Sequence, residues 1–450
     1  MKSNKRTGLK VQTLFAAQVI CLFEWTGEIS MSLSRRREIL RLAGGGLTGG
    51  IAGCVRLTFT DDGADPPAGE CEVDAPTAEG VHDVGDGGWP MPGYDPANTY
   101  YAPDRTISDL GELGVEWSFQ AERGQAKLTD DTVVISTQKA GLSFLDSETG
   151  EPVGHLEDET IDHQRTTCLD GTVYFCRPDF DAEETVLVSF DPEAEVEQWE
   201  ATVNSVPTRW LVATHDEVLL ATRDETVYSF DPEDGTERWN TQVGDVVYDR
   251  PAIARNEVYV LTDSRELLAL DRTTGGKCWG VNLAHDPFEV SVYDGSVYVR
   301  MGTHTQDHFG ELWAFDGTDG SKRWKTESLG GGRPTEYVSN VSLTEELVVL
   351  SGRDGVYGLD HDGSVVWEQP IEEDPLDTIS LVVVDDLVLT AGRKSIRGFD
   401  LTTGKSRGTF EIGDGNVTTL MAAGETLFVA DPIGELQVDG KPASLIVALR

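Results

Sequence analysis

Short apolar runs separated by polar turns recur along most of the chain. In residues 258–279, VYVLTDSRELLALDRTTGGKCW, Val258–Leu261 and Leu267–Leu270 are two such runs, and a third begins near Trp279. Because the runs are short and rich in β-branched and aromatic side chains, the pattern predicts three short strands rather than a helix. The turn before the third strand ends at Gly275, a position that suits a positive φ angle.

The same unit occurs eight times. Its first apolar run aligns at Val133, Val173, Val218, Val258, Val297, Leu347, Leu387 and Leu427. Successive positions are 39 to 50 residues apart. A repeat of this length that contains only strands and turns is typical of a β-propeller, in which each repeat forms one four-stranded blade. The sequence therefore predicts an all-β, eight-bladed β-propeller.

The last repeat lacks its final strand. Leu445–Leu449 aligns with Leu267–Leu270, and the chain ends one residue later. Gly114–Phe119, which precedes the first repeat and contains Trp117, has the sequence of the missing strand. We expect this N-terminal strand to complete the last blade and close the ring, since closure removes exposed sheet edges. The propeller then comprises residues 114–450.

The first 53 residues resemble an export signal. Arg35–Arg37 precede a short apolar, glycine-rich stretch, as in a twin-arginine signal. Ile51–Cys54 resembles a lipobox, which implies lipidation of Cys54 and anchoring at the outer face of the cytoplasmic membrane. The alternative is that Cys54 is a small buried residue of a terminal helix. Met31 precedes the arginines closely, so residues 1–30 need not be translated.

Two further segments precede the propeller. Residues 54–88 are rich in Asp, Glu, Gly, Pro and Ala, which predicts a flexible acidic tether. Residues 89–113 are dense in aromatic side chains and proline, which favours an irregular segment packed on the propeller.

The charge narrows the possible partners. Asp and Glu number 79 against 36 Lys and Arg, a net charge of −43. This charge disfavours nucleic acid and anionic membranes as partners, and it is typical of proteins kept soluble in high salt, as in extreme halophiles. High charge is also typical of disorder, but 39% hydrophobic residues in regular strands exclude disorder beyond residue 109.

The repeat register predicts which residues line one mouth of the central channel. Counting eight residues back from the aligned positions gives Gln125, Arg165, Trp210, Arg250, Glu289, Ser339, Ile379 and Thr419. Guanidinium groups beside an aromatic ring can bind a planar anion by forked hydrogen bonds and stacking. The candidate ligand-binding residues are therefore Arg165, Arg209, Trp210, Arg250 and Glu289. The alternative is that Arg250 pairs with Asp249 or Glu289 and only holds loops.

Other candidate chemistry is weaker. His304, Asp307 and His308 have the residue types of a metal site, and the acidic loop around Asp179–Glu184 has oxygens that suit calcium. Solvated loops explain both, so we assign no metal and no catalytic residue. Cys168 and Cys176 lie on either side of a turn, but not at positions that the turn would pair. Their spacing therefore neither supports nor excludes a disulfide between them. P-loop, G-x-S-x-G and Cys-x-x-Cys motifs are absent from the sequence.

The phrase LALDRTTGGKCW resembles the tryptophan-docking repeat of the PQQ-repeat (quinoprotein-like) β-propeller family, over about residues 109–450. That family includes pyrroloquinoline-quinone (PQQ) dehydrogenases and BamB-like assembly lipoproteins. The resemblance implies that the repeat tryptophans pack between blades. They are Trp117, Trp199, Trp239, Trp279, Trp324 and Trp367. Gly154 and Gly408 stand where tryptophan is expected, so those two junctions should be weaker or differently filled.

The resemblance leaves two classes of function. The favoured one is a non-enzymatic, monomeric, lipid-anchored module at the cell surface that binds another protein or a small anionic ligand, without a cofactor. The alternative is an exported PQQ-dependent dehydrogenase with calcium. Dehydrogenases of this family carry a disulfide between adjacent cysteines, a calcium site of Glu, Asn and Asp, and an Asp base. This sequence has no adjacent cysteines, and we map no calcium ligands onto it.

Overall fold

The computed structural model describes residues 88–450 with short gaps. The gaps are 92, 108–109, 121–123, 130, 138–140, 248, 303–310, 327–339, 353–354, 372–379, 393–394, 413–416, 418, 431–435, 439–440 and 444–445. The described residues belong to one compact unit, Phe59–Arg450. The predicted export signal 1–53, the lipidation site Cys54 and all but the last residue of the predicted tether lie outside the described residues.

The secondary structure of the described residues is entirely β. Two strands precede the blades, β1 (Tyr101–Ala102) and β2 (Val115–Phe119). Blade 1 comprises β3 (Gly124–Thr129), β4 (Thr132–Thr137), β5 (Gly141–Asp146) and β6 (Pro152–Leu156). Blade 2 comprises β7 (Thr166–Leu169), β8 (Thr172–Asp179), β9 (Glu184–Asp191) and β10 (Val196–Val203). Blade 3 comprises β11 (Pro207–Ala213), β12 (Val218–Thr222), β13 (Thr226–Phe230) and β14 (Glu237–Gln242). Blade 4 comprises β15 (Ala252–Ile253), β16 (Glu257–Leu261), β17 (Glu266–Asp271) and β18 (Lys277–Asn282).

The second half continues in the same way. Blade 5 comprises β19 (Asp286–Tyr293), β20 (Ser296–Gly302), β21 (Glu311–Asp316) and β22 (Lys322–Lys325). Blade 6 comprises β23 (Ser342–Leu343), β24 (Val348–Gly352), β25 (Gly355–Leu359) and β26 (Val365–Pro370). Blade 7 comprises β27 (Ser380–Val384), β28 (Leu387–Ala391), β29 (Ser395–Asp400) and β30 (Ser406–Glu411), with β1 paired parallel to β27. Blade 8 contains β31 (Thr419–Ala423), β32 (Thr426–Ala430) and β35 (Ile446–Leu449), and a small hairpin, β33 (Leu436–Val438) with β34 (Lys441–Ala443), lies between the last two along the chain.

The N-terminal strand β2 supplies the outermost strand of blade 8. It pairs antiparallel with β35, with Trp117 opposite Ala448. The prediction of an eight-bladed propeller closed by its N-terminal strand is therefore confirmed.

Burial changes from the inside of each blade to the outside. The second strand of blade 4, β16, is buried along its whole length, because sheets on both sides cover it. In the outermost strand β14 only Trp239 is buried. The cores lie between blades: one cluster joins Val212 and Trp239 of blade 3 to Val258 and Leu270 of blade 4.

Residues Trp89–Thr106, which we call the channel segment, contact all eight blades in chain order. The contacts are Trp89 with Leu128, Pro90 with Thr167, Met91 with Trp210, Pro96 with Ile253, Ala97 with Val292, Thr99 with Leu343, Tyr100 with Val383, and Thr106 with Gly424. Most of these are backbone hydrogen bonds to the innermost strand of a blade. The amides of Ile253, Val292 and Leu343 donate to carbonyls of the segment at 2.8 to 3.0 Å. The segment thus covers inner strand edges that the blades themselves leave free.

Buried polar side chains fix the path of the channel segment. The amide of Asn98 donates to the carbonyls of Pro251 and Val290, each at 2.9 Å, and so joins the segment to blades 4 and 5. The Asp95 carboxylate accepts from the backbone N–H and the hydroxyl of Thr99 at 3.0 and 2.5 Å. Asp95, Asn98 and Thr99 are at most 1% exposed, so these bonds compensate for burial of polar groups.

Candidate functional site

Two of the predicted mouth residues, Arg250 and Glu289, lie in one cluster with Tyr100 of the channel segment. The Tyr100 hydroxyl donates to Glu289 Oε1 at 2.5 Å and accepts from Arg250 Nη2 at 3.2 Å. Arg250 Nη2 lies 3.9 Å from Glu289 Oε1, and Arg300 Nε lies 3.4 Å from Glu289 Oε2. Burial, and then the Glu289 carboxylate, raise the pKa of Tyr100 above its usual value, so its hydroxyl stays protonated and keeps donating.

The other candidates also have partners within the chain. Arg165 forms an ion pair with Asp162 and donates from Nε to the carbonyl of Thr208 in blade 3. Trp210 is 4% exposed and packs with Met91 of the channel segment. Arg209 lies on β11, and its side chain is outside the described residues.

The residues given by the register count lie at different places relative to the innermost strands. Arg165 and Arg250 precede β7 and β15. Gln125, Trp210, Glu289 and Thr419 lie within β3, β11, β19 and β31.

Basic side chains of three blades share one electrostatic neighbourhood. Burial lowers the pKa of His163, and Lys127 and Arg165 lower it further against the opposing effect of Asp162. Burial lowers the pKa of Lys127 to about 8, against an opposing effect of Cys168, and Arg250 acts in the same direction as burial. Basic side chains of blades 1, 2 and 4 thus act on one another, and the carboxylates of Asp162, Asp249 and Glu289 lie among them.

Asp249 adjoins this cluster. Its carboxylate accepts from the Arg250 backbone N–H at 2.7 Å. Burial raises the pKa of Asp249 to about 6, although Arg250 opposes the shift. The arginine that was the centre of the candidate site thus already contacts a phenol and two carboxylates.

All six docking tryptophans lie against the turn of the following blade. Each indole Nε1 donates to a turn carbonyl at 2.7 to 3.1 Å. The pairs are Trp117 with Ser147, Trp199 with Pro232, Trp239 with Arg272, Trp279 with Gly317, Trp324 with His361 and Trp367 with Leu401. Every blade that carries the tryptophan is therefore tied to its neighbour by the same hydrogen bond.

The turn glycine makes room for the indole. At Gly235, φ is +72°, and an added Cβ would lie 2.5 Å from the ring of Trp199. The blade 1–2 junction lacks both partners: Gly154 replaces the tryptophan, and Glu195, at φ 53°, replaces the glycine. Phe144 and Phe190 stack there instead, with ring centroids 5.8 Å apart.

The turn aspartates fold their own loops. Asp271 Oδ1 accepts from the backbone N–H groups of Thr273 and Thr274 and from the Thr274 hydroxyl, at 2.7 to 3.1 Å. Equivalent bonds from Thr149 lower the pKa of Asp146. These aspartates therefore stabilise the turns.

The described residues hold no group of three or more His, Cys, Asp or Glu side chains placed to bind a metal ion. The acidic loop around Asp179 is folded by its own bonds, since Asp179 Oδ1 accepts from the backbone of Asp181 and Ala182. The loop with His304, Asp307 and His308 is outside the described residues.

The three described cysteines differ in whether they form a disulfide. Cys168 and Cys176 are buried free thiols, which answers the question that their spacing left open. Cys278 takes part in a disulfide, whose partner is outside the described residues. Within the described ranges no helix has the length and apolar character needed to cross a bilayer.

Sequence reasoning missed Tyr100, Lys127 and Asp162. Lys127 lies two residues after Gln125, the position that the register gave for blade 1. Tyr100 is 189 residues from its partner Glu289, and no repeat relates the two. The only available signal was the density of aromatic residues, proline and glycine in residues 89–101.

A family profile described as outer membrane protein assembly factor BamB matches residues 105–241, 182–291 and 224–438. These matches together span well over half of the chain. The chain belongs to this family. No curated protein matches it significantly.

Solved structures share the fold of this BamB-family propeller. BamB from Moraxella catarrhalis superposes with a TM-score of 0.52 at 16% identity, over 75% of this chain and 99% of that one. Quinohemoprotein alcohol dehydrogenase from Comamonas testosteroni gives 0.59 at 12% identity, over 84% and 82%. A europium-containing methanol dehydrogenase gives 0.58 at 12%, over 82% and 99%. At these identities the likeness shows the fold alone.

Proposed function

We propose that this protein is an exported, lipid-anchored propeller that binds another protein and acts as an assembly module at the cell surface, without catalysis. The observation that carries the proposal is the channel segment. It brings Tyr100 against Arg250 and Glu289 and Met91 against Trp210, so the mouth contacts the protein's own chain. Recognition is then left to the outer surfaces of the blades.

The outer strands of three consecutive blades offer apolar contacts. Val115 of β2, Val153 of β6 and Val196 of β10 are 42%, 60% and 50% exposed, on the outermost strands of blades 8, 1 and 2. Each of these strands is the terminal strand of its sheet among the described residues, and an extended segment of a partner can pair with such an edge. We therefore place the partner-binding surface on blades 8, 1 and 2. The BamB family description, an assembly factor, supports a protein as the partner.

The alternative function needs a PQQ cofactor with calcium at the channel mouth, and the residues there do not fit that group. A planar, anionic quinone requires free donors beside an open aromatic face. Trp210 is buried, Arg165 is engaged by Asp162, and Tyr100 is hydrogen-bonded to Arg250. We derive no reaction through PQQ for this chain.

Export is supported by the cysteine chemistry. Disulfides persist mainly outside the cytoplasm, and Cys278 takes part in one. Together with the resemblance of Ile51–Cys54 to a lipobox, this favours anchoring through Cys54. Cys54→Ser should abolish lipidation, and unchanged mass and membrane retention would contradict the anchor.

Cross-linking in native membranes tests the function. We expect the wild type to capture a specific partner protein and Val153→Lys/Val196→Lys to lose it, because the lysines place charge on the proposed surface. Val365→Lys/Val366→Lys is the matched control, since these valines are 51% and 52% exposed on the outer strand of blade 6. Equal capture by all three proteins would place the surface elsewhere. PQQ-dependent dehydrogenase activity of the purified wild type would overturn the proposal itself.

A further inference from the structure

The disulfide of Cys278 lies on the outside of blade 4. Cys278 belongs to the outermost strand, β18, and directly precedes the docking residue Trp279. Its partner is neither of the other two described cysteines, because Cys168 and Cys176 remain thiols. The partner therefore belongs to the residues before the propeller, which contain the other cysteines of the sequence, Cys21, Cys54 and Cys71.

Cys278 is covered where its counterparts on other blades are exposed. The residue before the docking position is Val153 in blade 1 and Val366 in blade 6, and these side chains are 60% and 52% exposed. Arg238 and Arg323, at the same position of the two neighbouring blades, are exposed as well. Cys278 is 2% exposed, and a valine is nearly as short as a cysteine, so size does not account for the difference. The bonded partner and the chain that carries it therefore cover this strand.

The position of Cys71 in the chain favours it as the partner. Cys71 belongs to the same compact unit as Cys278, Phe59–Arg450, whereas Cys21 and Cys54 precede that unit. Trp89, the first residue of the channel segment, follows Cys71 by 18 residues. An extended chain of that length reaches up to about 60 Å, and a blade of four strands is about 15 Å deep from its innermost to its outermost strand. The chain is therefore long enough to run from the channel mouth to the outside of blade 4.

We propose that Cys71 and Cys278 form this disulfide and that the predicted tether is thereby docked on the outer strand of blade 4. Formation of the bond takes two electrons and two protons from the two thiols. A disulfide-carrying oxidoreductase outside the cytoplasm accepts them and is reduced to a dithiol.

The bond sets the side of the ring from which the tether leaves. In a ring of eight blades, blade 4 lies across from blade 8, whose outer strand β2 begins the proposed partner-binding surface. The tether is then held away from β2, and the membrane anchor is directed to the opposite side. This consequence for the anchor rests on the proposed lipidation of Cys54, whereas the bond itself does not.

Peptide mapping without reduction tests the bond. The wild type is denatured in a maleimide, which blocks thiols, and is then digested with trypsin. We expect residues 278–300 to be released in a disulfide with residues 57–105, which contain Cys71. Residues 166–209 contain the two described thiols and should carry two maleimides, which is the internal control.

The other cysteines fall on different tryptic peptides, so each wrong partner gives its own mass. A disulfide of residues 278–300 with residues 42–56, with residues 11–35 or with a second copy of itself would overturn the proposal. A maleimide on Cys278 would overturn it too. Lipid on a peptide that begins at Cys54 is read from the same digest, so loss of the anchor and loss of the bond are separate results.

Thiol labelling of the folded protein tests the docking on blade 4. Cys71→Ser removes the bonded partner, so we expect a maleimide to label Cys278 once per molecule while Cys168 and Cys176 stay buried. Cys278 of the wild type and of the matched control Cys54→Ser should stay unlabelled. A folded Cys71→Ser protein with an unlabelled Cys278 would show that the tether does not cover blade 4. If Cys71→Ser does not fold, the peptide map of the wild type decides the proposal.

Discussion

At the blade junctions, the docking tryptophan of one blade is paired with the turn glycine of the next. The indole of Trp199 occupies the space that a Cβ at residue 235 would need, so the tryptophan of one blade requires a glycine in the next. The junction after blade 1 has neither, and Glu195 adopts a positive φ without a ring opposite it. Gly154 and Glu195 therefore depart from the repeat together, because the tryptophan and the turn glycine that they replace would form a single contact.

The docking tryptophans should dominate stability at their junctions. Trp239 is 7% exposed and donates to the Arg272 carbonyl at 2.9 Å. Trp239→Ala removes a buried ring and leaves that carbonyl without its donor, so we expect a loss of about 3–5 kcal/mol in the free energy of unfolding. Val196→Ala, at an exposed outer-strand position, should change it by less than about 0.5 kcal/mol. Similar unfolding midpoints for both variants in denaturant would show that Trp239 does not hold the blades together.

Sequence reasoning reached some residues of the mouth and missed others for a physical reason. Arg250 and Glu289 follow from the repeat register, because equivalent positions of neighbouring blades lie side by side. Tyr100 and Lys127 do not follow from it. Tyr100 belongs to a segment outside the repeats, and Lys127 occupies a position where burial of a lysine is unexpected.

At the scale of elements, the turn between the last two strands of a blade is a self-contained unit. Its aspartate caps the backbone, and its glycine turns the chain with a positive φ. The Thr149 hydroxyl and backbone bonds lower the pKa of Asp146, and the Thr403 hydroxyl is the main cause of the lowered pKa of Asp400. A carboxylate whose pKa is lower in the folded than in the unfolded state stabilises the fold above its unfolded pKa. That stability is lost as the pH falls through the folded pKa.

The turns should therefore make the propeller acid-sensitive. We expect the thermal midpoint of the wild type to fall as the pH drops below about 4, the usual range of an aspartate. Asp146→Asn/Asp400→Asn keeps the acceptor oxygens but does not titrate, so its midpoint should fall less steeply between pH 5 and pH 2. Glu112→Gln, an exposed control outside the turns of the blades, should follow the wild type. Identical slopes for all three proteins would contradict the structural role of the turn carboxylates.

The strands were predictable and the channel segment was not. Val258–Leu261 and Leu267–Leu270 were expected as strands, and they lie within β16 and β17. The Trp117 strand was assigned to the last blade because that repeat was incomplete. The backbone of residues 89–106 is irregular and has no repeat, so the order in which the segment contacts the blades could not be predicted from a sequence pattern.

At the scale of the whole molecule, two N-terminal segments join the propeller at different places. β2 completes blade 8 from outside, through its pairing with β35. The channel segment joins the blades from inside, by contacts that follow the chain order of the blades from Leu128 to Gly424. The mouth residues that would otherwise meet a ligand are then covered, which is why the proposed function relies on the outer strands.

Hydrogen exchange of the channel segment tests this closure most directly. In the full-length protein we expect peptides that span residues 89–106 to be as protected as peptides from the fully buried strand β16. The reason is that the segment's own amides donate hydrogen bonds, some within the segment, as from Tyr94, Asn98 and Tyr100, and some to blades 1 and 8, from Trp89 and Thr106. Residues 296–302, in the second strand of blade 5, provide a further reference. Exchange of residues 89–106 within seconds, at the rate of an unfolded peptide, would show that the channel is open and would contradict the account.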